Sequence, residues 1–245
     1  MNIDDAKKVI TKYPNTRYMG SKYKLLPEIA KVVADLNPKT ALDAFSGSGC
    51  VAYLFKEMGI SVTSNDFLKF SYHLANATIA NSSIKLNEVD MQELLHPNEL
   101  KNNFIQKKFK DLYFTDEDYE FLDSLWWNIQ DMDSEYKKSI ALAAASRACI
   151  KRRPRGMFAY TGFRYDDGRK DLTMSLKEHF VRAAEEWNNA VLDNGTECFA
   201  SNKDVFELED KGYDLVYIDP PYVSNLSDND YTRRYHFVEG YMSYW

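Results

Sequence analysis

What this sequence lacks narrows it before any motif is read. It holds only three cysteines, Cys50, Cys149 and Cys198, far apart and with no CxxC spacing. That speaks against a disulfide framework or a zinc site, and a reducing, cytoplasmic setting is expected. The four histidines (His73, His96, His179 and His236) show no metal-ligand spacing either. No apolar run approaches the roughly 18 residues that a membrane span requires. The opening MNIDDAKKVI has no basic-then-apolar pattern of a secretory leader. Internal repeats and low-complexity linkers are missing too. Positive charge is scarce overall, with a net charge of −6. That average argues against a polyanionic partner, yet it hides a local reversal. Residues 147–170 carry eight basic side chains against two acidic ones, Asp166 and Asp167. One basic face is enough for an acidic protein to bind DNA.

What is present suits one large α/β domain with an insertion, since 245 residues, 44% of them hydrophobic, supply a sizeable core. In GSKYKLLPEIAKVVADLNP, Leu25, Leu26, Ile29, Val32, Val33 and Leu36 recur at helical spacing, and Asn37-Pro38 ends the helix. TALDAF reads as a buried strand, SGSG as a tight turn and CVAYLFKEMG as a helix closed by Gly59. ISVTSND and FLKFSYHLANATIANSS repeat the strand-helix order. Such a β-turn-α-β-α sequence predicts parallel strands in a Rossmann-like sheet. The rhythm stops near residue 88. Two helical patterns follow, TDEDYEFLDSLWWNIQ and SEYKKSIALAAASRACI, and then the basic KRRPRGMFAYTGFRYDDGRK. A further helix opens on a Ser175–Glu178 capping box, and TECFASN and YDLVYI return to strand. The expected plan is a catalytic domain of residues 1–87 and 173–245, interrupted by a mainly helical insertion of residues 88–172.

Three strand ends carry candidate chemistry. DAFSGSG sets Asp43 at the first, with Gly47 and Gly49 in the turn before a helix. Glycines there let a ligand approach the backbone closely, as a nucleotide-type cofactor requires, although an ordinary βα turn uses them as well. The second strand ends in SND, placing Asp66 to accept the hydroxyls of a ribose or, alternatively, to cap the next helix. The third gives LVYIDPPYVSN. Pro220 and Pro221 have no N–H to donate, so Asp219 and the Pro220 carbonyl present acceptors only, and Tyr222 adds a flat face. A planar aromatic amine brings the matching pair of donors. Two acceptors on its hydrogens favour a more tetrahedral nitrogen whose lone pair points outward, ready to receive a methyl group.

DPPY together with DAFSGSG resembles the amino-methyltransferases that use S-adenosylmethionine, specifically the Dam-like DNA adenine methylases. TRYMGSKYKLL is similar to that family's additional cofactor motif, and YHFVEGYMSYW is similar to the FokI-type modification methylases. The resemblance implies that Tyr18, Gly20, Ser21 and Lys22 meet the methionine end of the cofactor. It likewise implies that Asp43, Phe45, Gly47 and Gly49 form the cofactor loop, that Asp66 holds the ribose, and that Asp204 lies near the cofactor's adenine. Asp219, Pro220, Pro221 and Tyr222 would hold an adenine flipped out of duplex DNA, Asp219 also lying close to the cofactor. In the basic segment, Arg152, Arg153, Arg155, Tyr160, Arg164 and Arg169 are the candidate DNA contacts, with a solvated loop as the alternative. The implied activity is methyl transfer to the N6 amine of adenine in a restriction-modification setting, with a cognate endonuclease as partner. A cytosine-amine methylase, an RNA amine methylase and a catalytically silent DNA-binding subunit are the rival readings. In the family further strands and helices follow the proline loop, whereas this sequence stops at Trp245, within a predicted helix. That difference is expected of a fragment, of one half of a split enzyme or of half of a two-domain protein, the sheet then being completed by a second polypeptide or domain.

Overall fold

The computed structural model describes residues 12–99, 102–156, 158, 168–222 and 231–245, apart from the side chains of Arg155 and Thr232. They fall into two compact units, Met1–Lys85 with Glu186–Pro221 and Leu86–Glu185 with Tyr222–Trp245.

The first unit is built on a four-stranded sheet of β1 (Thr40–Asp43), β2 (Ser61–Asn65), β3 (Phe199–Ser201) and β4 (Leu215–Tyr217), in the order β3-β2-β1-β4. Every pairing is parallel, with Asp43 level with Ser64 on one side and Tyr217 on the other. The Rossmann-like expectation holds. Helix α1 (Leu26–Leu36) starts with Pro27 in its first turn, where the missing N–H costs nothing, and ends on Asn37 in the left-handed conformation. Helix α2 (Cys50–Glu57) follows the glycine turn and is buried almost all round. Helix α3 (Lys69–Ala75) continues into a π turn over Asn76–Ala80. The ammonium of Lys56, itself buried, donates to the carbonyls of Thr78, Ile79 and Asn81 at 2.8–2.9 Å. Those three acceptors satisfy a cation that would otherwise be costly inside the fold, and burial still lowers its pKa to about 8. Trp187, Tyr53 and Tyr13 form an aromatic core, with Tyr13 4.7 Å from the Tyr53 ring and edge-on to Trp187 at 5.5 Å.

Strand order fixes where a ligand belongs. From β1 the chain runs outward to β2 and β3, then returns to place β4 on the other side. In an open parallel sheet the crevice at such a reversal, beyond the carboxyl ends of the strands, is the place for a ligand. Asp43 ends β1 and Asp219 follows β4, so both lie at that reversal.

The second unit is helical among its described residues: α4 (Glu88–Leu95), α5 (Phe104–Lys108), α6 (Asp116–Gln130), α7 (Glu135–Arg152), the start of α8 (Leu176–Ala190) and α9 (Tyr231–Ser243). The expected boundaries at 87/88 and 172/173 differ from this division, which groups residues 173–185 and 222–245 with the helices. Packing gives the reason. Phe237 of α9 stacks on Phe158 at 5.0 Å and meets Phe109, Tyr113 and Phe114 edge-on at 5.0–5.5 Å. The Leu176 amide at the head of α8 donates to Asp118 of α6. The Ser175–Glu178 capping box forms in both directions. Thr115 caps α6, but the Asp118 carboxylate is used elsewhere.

Candidate active site

Backbone ties draw the four strand ends of the first unit together. The Ala44 amide donates to Tyr217 at 3.1 Å, and the Ser46 amide to Asn65 at 2.8 Å. The Asn65 side chain donates to the carbonyls of Ala44 and Lys203 and accepts from the Ser201 hydroxyl and the Lys203 amide. It therefore links the ends of β1, β2 and β3. Sequence reading passed over Asn65 in favour of its neighbour, although a buried amide with four bonding sites is well suited to such a junction.

The glycine turn needs its glycines for two separate reasons. Gly47 and Gly49 have φ of +51° and +77°, in the left-handed region that side chains disfavour. Space is closed as well: a Cβ on Gly47 would lie 2.8 Å from the Tyr18 ring, and one on Gly49 would lie 2.5 Å from the Tyr13 hydroxyl. That hydroxyl donates to the Ser48 carbonyl at 2.6 Å. The N-terminal segment thus lies across the turn, with the Tyr18 ring close over Gly47 and Ser21 beside Ser48 and Cys50. The Ser21 hydroxyl lies 3.4 Å from that of Ser48 and 3.8 Å from the Cys50 sulfur. Tyr13 escaped sequence reading; the one available signal was the tyrosine five residues ahead of Tyr18.

Carboxylates surround this turn. Asp43 is 1% exposed, and no hydrogen bond of ordinary geometry reaches either of its oxygens among the described residues. Burial, and then the nearby Asp66 carboxylate, push its pKa up to about 8. The Ala52 and Phe45 amides ease the charge only in part, and Asp219 raises the pKa further. Asp66 accepts from the Gly47 amide at 2.7 Å and from the Leu68 amide at 2.9 Å, so it ties the glycine turn to the short bend that leads into α3. Asp204 accepts from the Phe206 amide at 3.1 Å as the cap of a 3-10 turn. Phe45 is half-buried.

Asp219 forms an ion pair with Lys22, whose ammonium also donates to the Gly20 carbonyl at 2.8 Å. Both side chains are largely covered. The Tyr217 hydroxyl is pushed up to about 12, chiefly by burial and then by Asp219. Pro220, Pro221 and Tyr222 are exposed.

The basic segment divides differently. Arg152 and Arg153, two of the candidate DNA contacts, are both buried and engaged within the helical unit. Arg152 pairs with Asp118 at 3.0 Å and donates to the Leu172 carbonyl. Arg153, 1% exposed, donates to the Tyr113 carbonyl at 3.0 Å and lies over the Tyr113 ring at 5.1 Å. Their guanidinium groups serve the packing of the helical unit. Arg169 is half-buried ahead of a 3-10 turn. Tyr160 and Arg164 lie outside the described residues, as does the side chain of Arg155. His236 accepts or donates at the Tyr113 hydroxyl, 3.1 Å away.

A family model of the D12 class N6 adenine-specific DNA methyltransferases matches residues 18–241. The chain belongs to this family. Among curated relatives, the chain is similar to the type II methyltransferase M2.HphI of Haemophilus parahaemolyticus, 32% identical over 95% of this chain and 72% of the relative's length. M.FokI of Planomicrobium okeanokoites is 29% identical over 91% of the chain, which spans 36% of it. The modification methylase LlaI of Lactococcus lactis is 26% identical over 91%, with 38% of its length spanned. No solved structure matches. In D12 terms the match runs from Tyr18 through the glycine turn and DPPY to Tyr241, so it covers each strand end described above. No helix among the described residues is long and apolar enough to cross a membrane, and no cluster of metal-ligating side chains occurs among them.

Proposed function

We propose that this chain transfers a methyl group from S-adenosylmethionine to the N6 amine of an adenine turned out of duplex DNA, as the modification arm of a restriction-modification system. One observation carries the reading: a glycine turn and an acceptor-only corner, Asp219 with the Pro220 carbonyl, flank the same strand reversal.

The residues suit the cofactor. Gly47 and Gly49 give the turn its left-handed backbone and let the Tyr18 and Tyr13 rings pack closely against it. Asp43 supplies a buried carboxyl that a neighbouring sulfonium would favour in its charged form. Phe67 and Phe206, 71% and 95% exposed, follow Asp66 and Asp204 and offer apolar faces to a purine. The cofactor supplies an activated methyl group. Asp219 and Pro220 orient the amine by accepting its two hydrogens, so that its lone pair faces that methyl. Transfer of that methyl group from sulfur to nitrogen would leave positive charge on the nitrogen. Asp219 stabilises that charge and is the acceptor for the proton that then leaves toward solvent. Tyr222 serves as the stacking face for the extruded base.

Arg155, Tyr160, Arg164 and Arg169 are the proposed DNA contacts. A second polypeptide or domain is also part of the reading. Beside β4, a groove of about 320 Å³ lined by Leu25, Ile29, Val32, Leu36, Leu215 and Tyr217 lies open, and Val216 and Ile218 are exposed on the edge. An open apolar edge of this kind is normally covered.

The test is transfer of label from methyl-labelled cofactor into unmethylated duplex genomic DNA, followed by identification of the modified base. N6-methyladenine is expected from the unaltered protein. DNA retention without label would identify a silent subunit instead, and label in RNA alone would overturn the choice of substrate.

A further inference from the structure

Lys22 and Asp219 come from opposite ends of the sequence and meet as an ion pair at the site where the two substrates must converge. In the function proposed above, on which this inference rests, Asp219 needs its oxygens for an amine. A lysine ammonium is a poor companion for that task. It offers the same kind of donor as the amine and competes for the same lone pairs. It also sets a fixed positive charge beside a nitrogen that is itself becoming positive. Three carboxyl groups, Asp43, Asp66 and Asp219, surround the turn. Asp66 is engaged by the amides of Gly47 and Leu68, and Asp43 is sealed inside. Asp219 is the one that Lys22 neutralises.

We infer that Lys22 is an exchangeable counter-ion: it guards Asp219 in the ligand-free protein and passes to the carboxylate at the amino-acid end of the cofactor, leaving Asp219 open for the base. Geometry makes the exchange cheap. The ammonium keeps its bond to the Gly20 carbonyl, 2.8 Å away, through a short local loop in which the Ser21 amide bonds back to Tyr18. Gly20 itself sits at φ +77°. Lysine suits the role better than arginine, because its compact charge on a flexible stem can rotate between two carboxylates without holding a planar fork to either. The consequence is an order of events. Cofactor binding clears the acceptor, so base capture follows it, and the two binding steps are coupled through one side chain.

The experiment compares binding of S-adenosylhomocysteine with that of its decarboxylated analogue by calorimetry, in the unaltered protein and in Lys22→Met and Lys22→Arg. Loss of the carboxylate is expected to weaken binding about tenfold or more in the unaltered protein and in Lys22→Arg, and by less than about twofold in Lys22→Met, consistent with the strength of charge-assisted bonds. In turnover on unmethylated genomic DNA, Lys22→Met should raise the cofactor KM with a smaller change in kcat. Lys22→Arg should recover the KM but turn over more slowly, because its fork releases Asp219 less readily. Equal penalties for the missing carboxylate in all three proteins would overturn the exchange, as would a Lys22→Met defect confined to kcat, which would leave the lysine on Asp219 throughout. Failure of S-adenosylhomocysteine to bind the unaltered protein would instead sink the cofactor assignment itself. Binding with the expected carboxylate penalty but no label transfer would uphold the exchange and reject the proposed activity.

Discussion

The carboxyl edge of the sheet gathers Asp43, Asp66 and Asp219 at one place, whereas Arg152 and Arg153, at the end of α7, turn to separate buried partners. In a parallel sheet all strands end on one edge, so Asp43, Asp66 and Asp219 arrive together once β1, β2 and β4 are paired in register. No detail of packing is needed. A helix end offers no such guarantee, since each residue turns by 100° and a long side chain reaches inward as easily as outward. Arg152 and Arg153 are consecutive, and both find buried partners, in Asp118 and in the Tyr113 carbonyl and ring. Topology places a strand-end carboxylate. Charge counting does not place a helix-end arginine.

The sharpest way to test the first half of that contrast is Asp219→Ala. Removal of a group that stabilises developing charge costs about 10²–10³ in turnover, or more where no second donor or acceptor replaces it. DNA retention, measured by filter binding at fixed salt, should stay within about twofold. Normal turnover would remove Asp219 from the chemistry. The second half is tested by Asp118→Ala, which strands Arg152 inside the helical unit. Breaking a buried pair from one side costs about 3–5 kcal/mol, so the denaturation midpoint should fall steeply. If Asp118→Ala instead left stability intact and abolished DNA binding, Arg152 would belong to the interface after all.

How much of this was legible follows the same line. The strands TALD, SVTSN and LVY, the glycine turn and the helix signals at Pro27, Asn37 and Ser175 could be read because local rules and fold topology agree there. The division into units could not. It depends on Phe237 finding Phe158 and Phe114 from more than 70 residues away in sequence, and no local pattern announces that. Lys56 is hidden for a related reason. A lysine in a helix reads as solvated, and only the π turn over Asn76–Ala80 with the residue after it provides the carbonyls that admit it to the interior. Asp66 shows the opposite difficulty: its position was legible, but its bonds to the Gly47 and Leu68 amides make it a brace for the turn as well as a candidate ribose acceptor.

Asp43 separates position from state. Unfolded, it releases its proton near 4; folded, near 8. Between those values the native protein binds the extra proton, so stability should fall as pH rises through that window, by at most about 1.4 kcal/mol per unit. Asp43→Asn should flatten the dependence, as read from denaturant midpoints between pH 4 and 8 without cofactor. An equal slope in both proteins would mean that Asp43 is ionised in the fold. Gly49→Ala is milder. The left-handed φ and the approach to the Tyr13 hydroxyl together predict a loss of about 1–3 kcal/mol. Part of it should return in Gly49→Ala combined with Tyr13→Phe, which removes the obstructing oxygen.

The smallest effect bears most directly on the contrast between the two regions. An arginine that neutralises one phosphate adds about 0.9 to the slope of log K against log salt. Arg164→Ala should therefore lower that slope by about one for any duplex, with little change in melting temperature. Arg153→Met should do the reverse. Its guanidinium is enclosed by Tyr113 and Phe158 and carries no phosphate term, so stability should fall while the salt slope of the folded protein stays unchanged. Measured side by side on one duplex, the two variants separate charge that faces DNA from charge that holds the helices together. A slope that dropped equally in both, in an Arg153→Met protein melting at the unaltered temperature, would put Arg153 on the nucleic acid and erase the distinction.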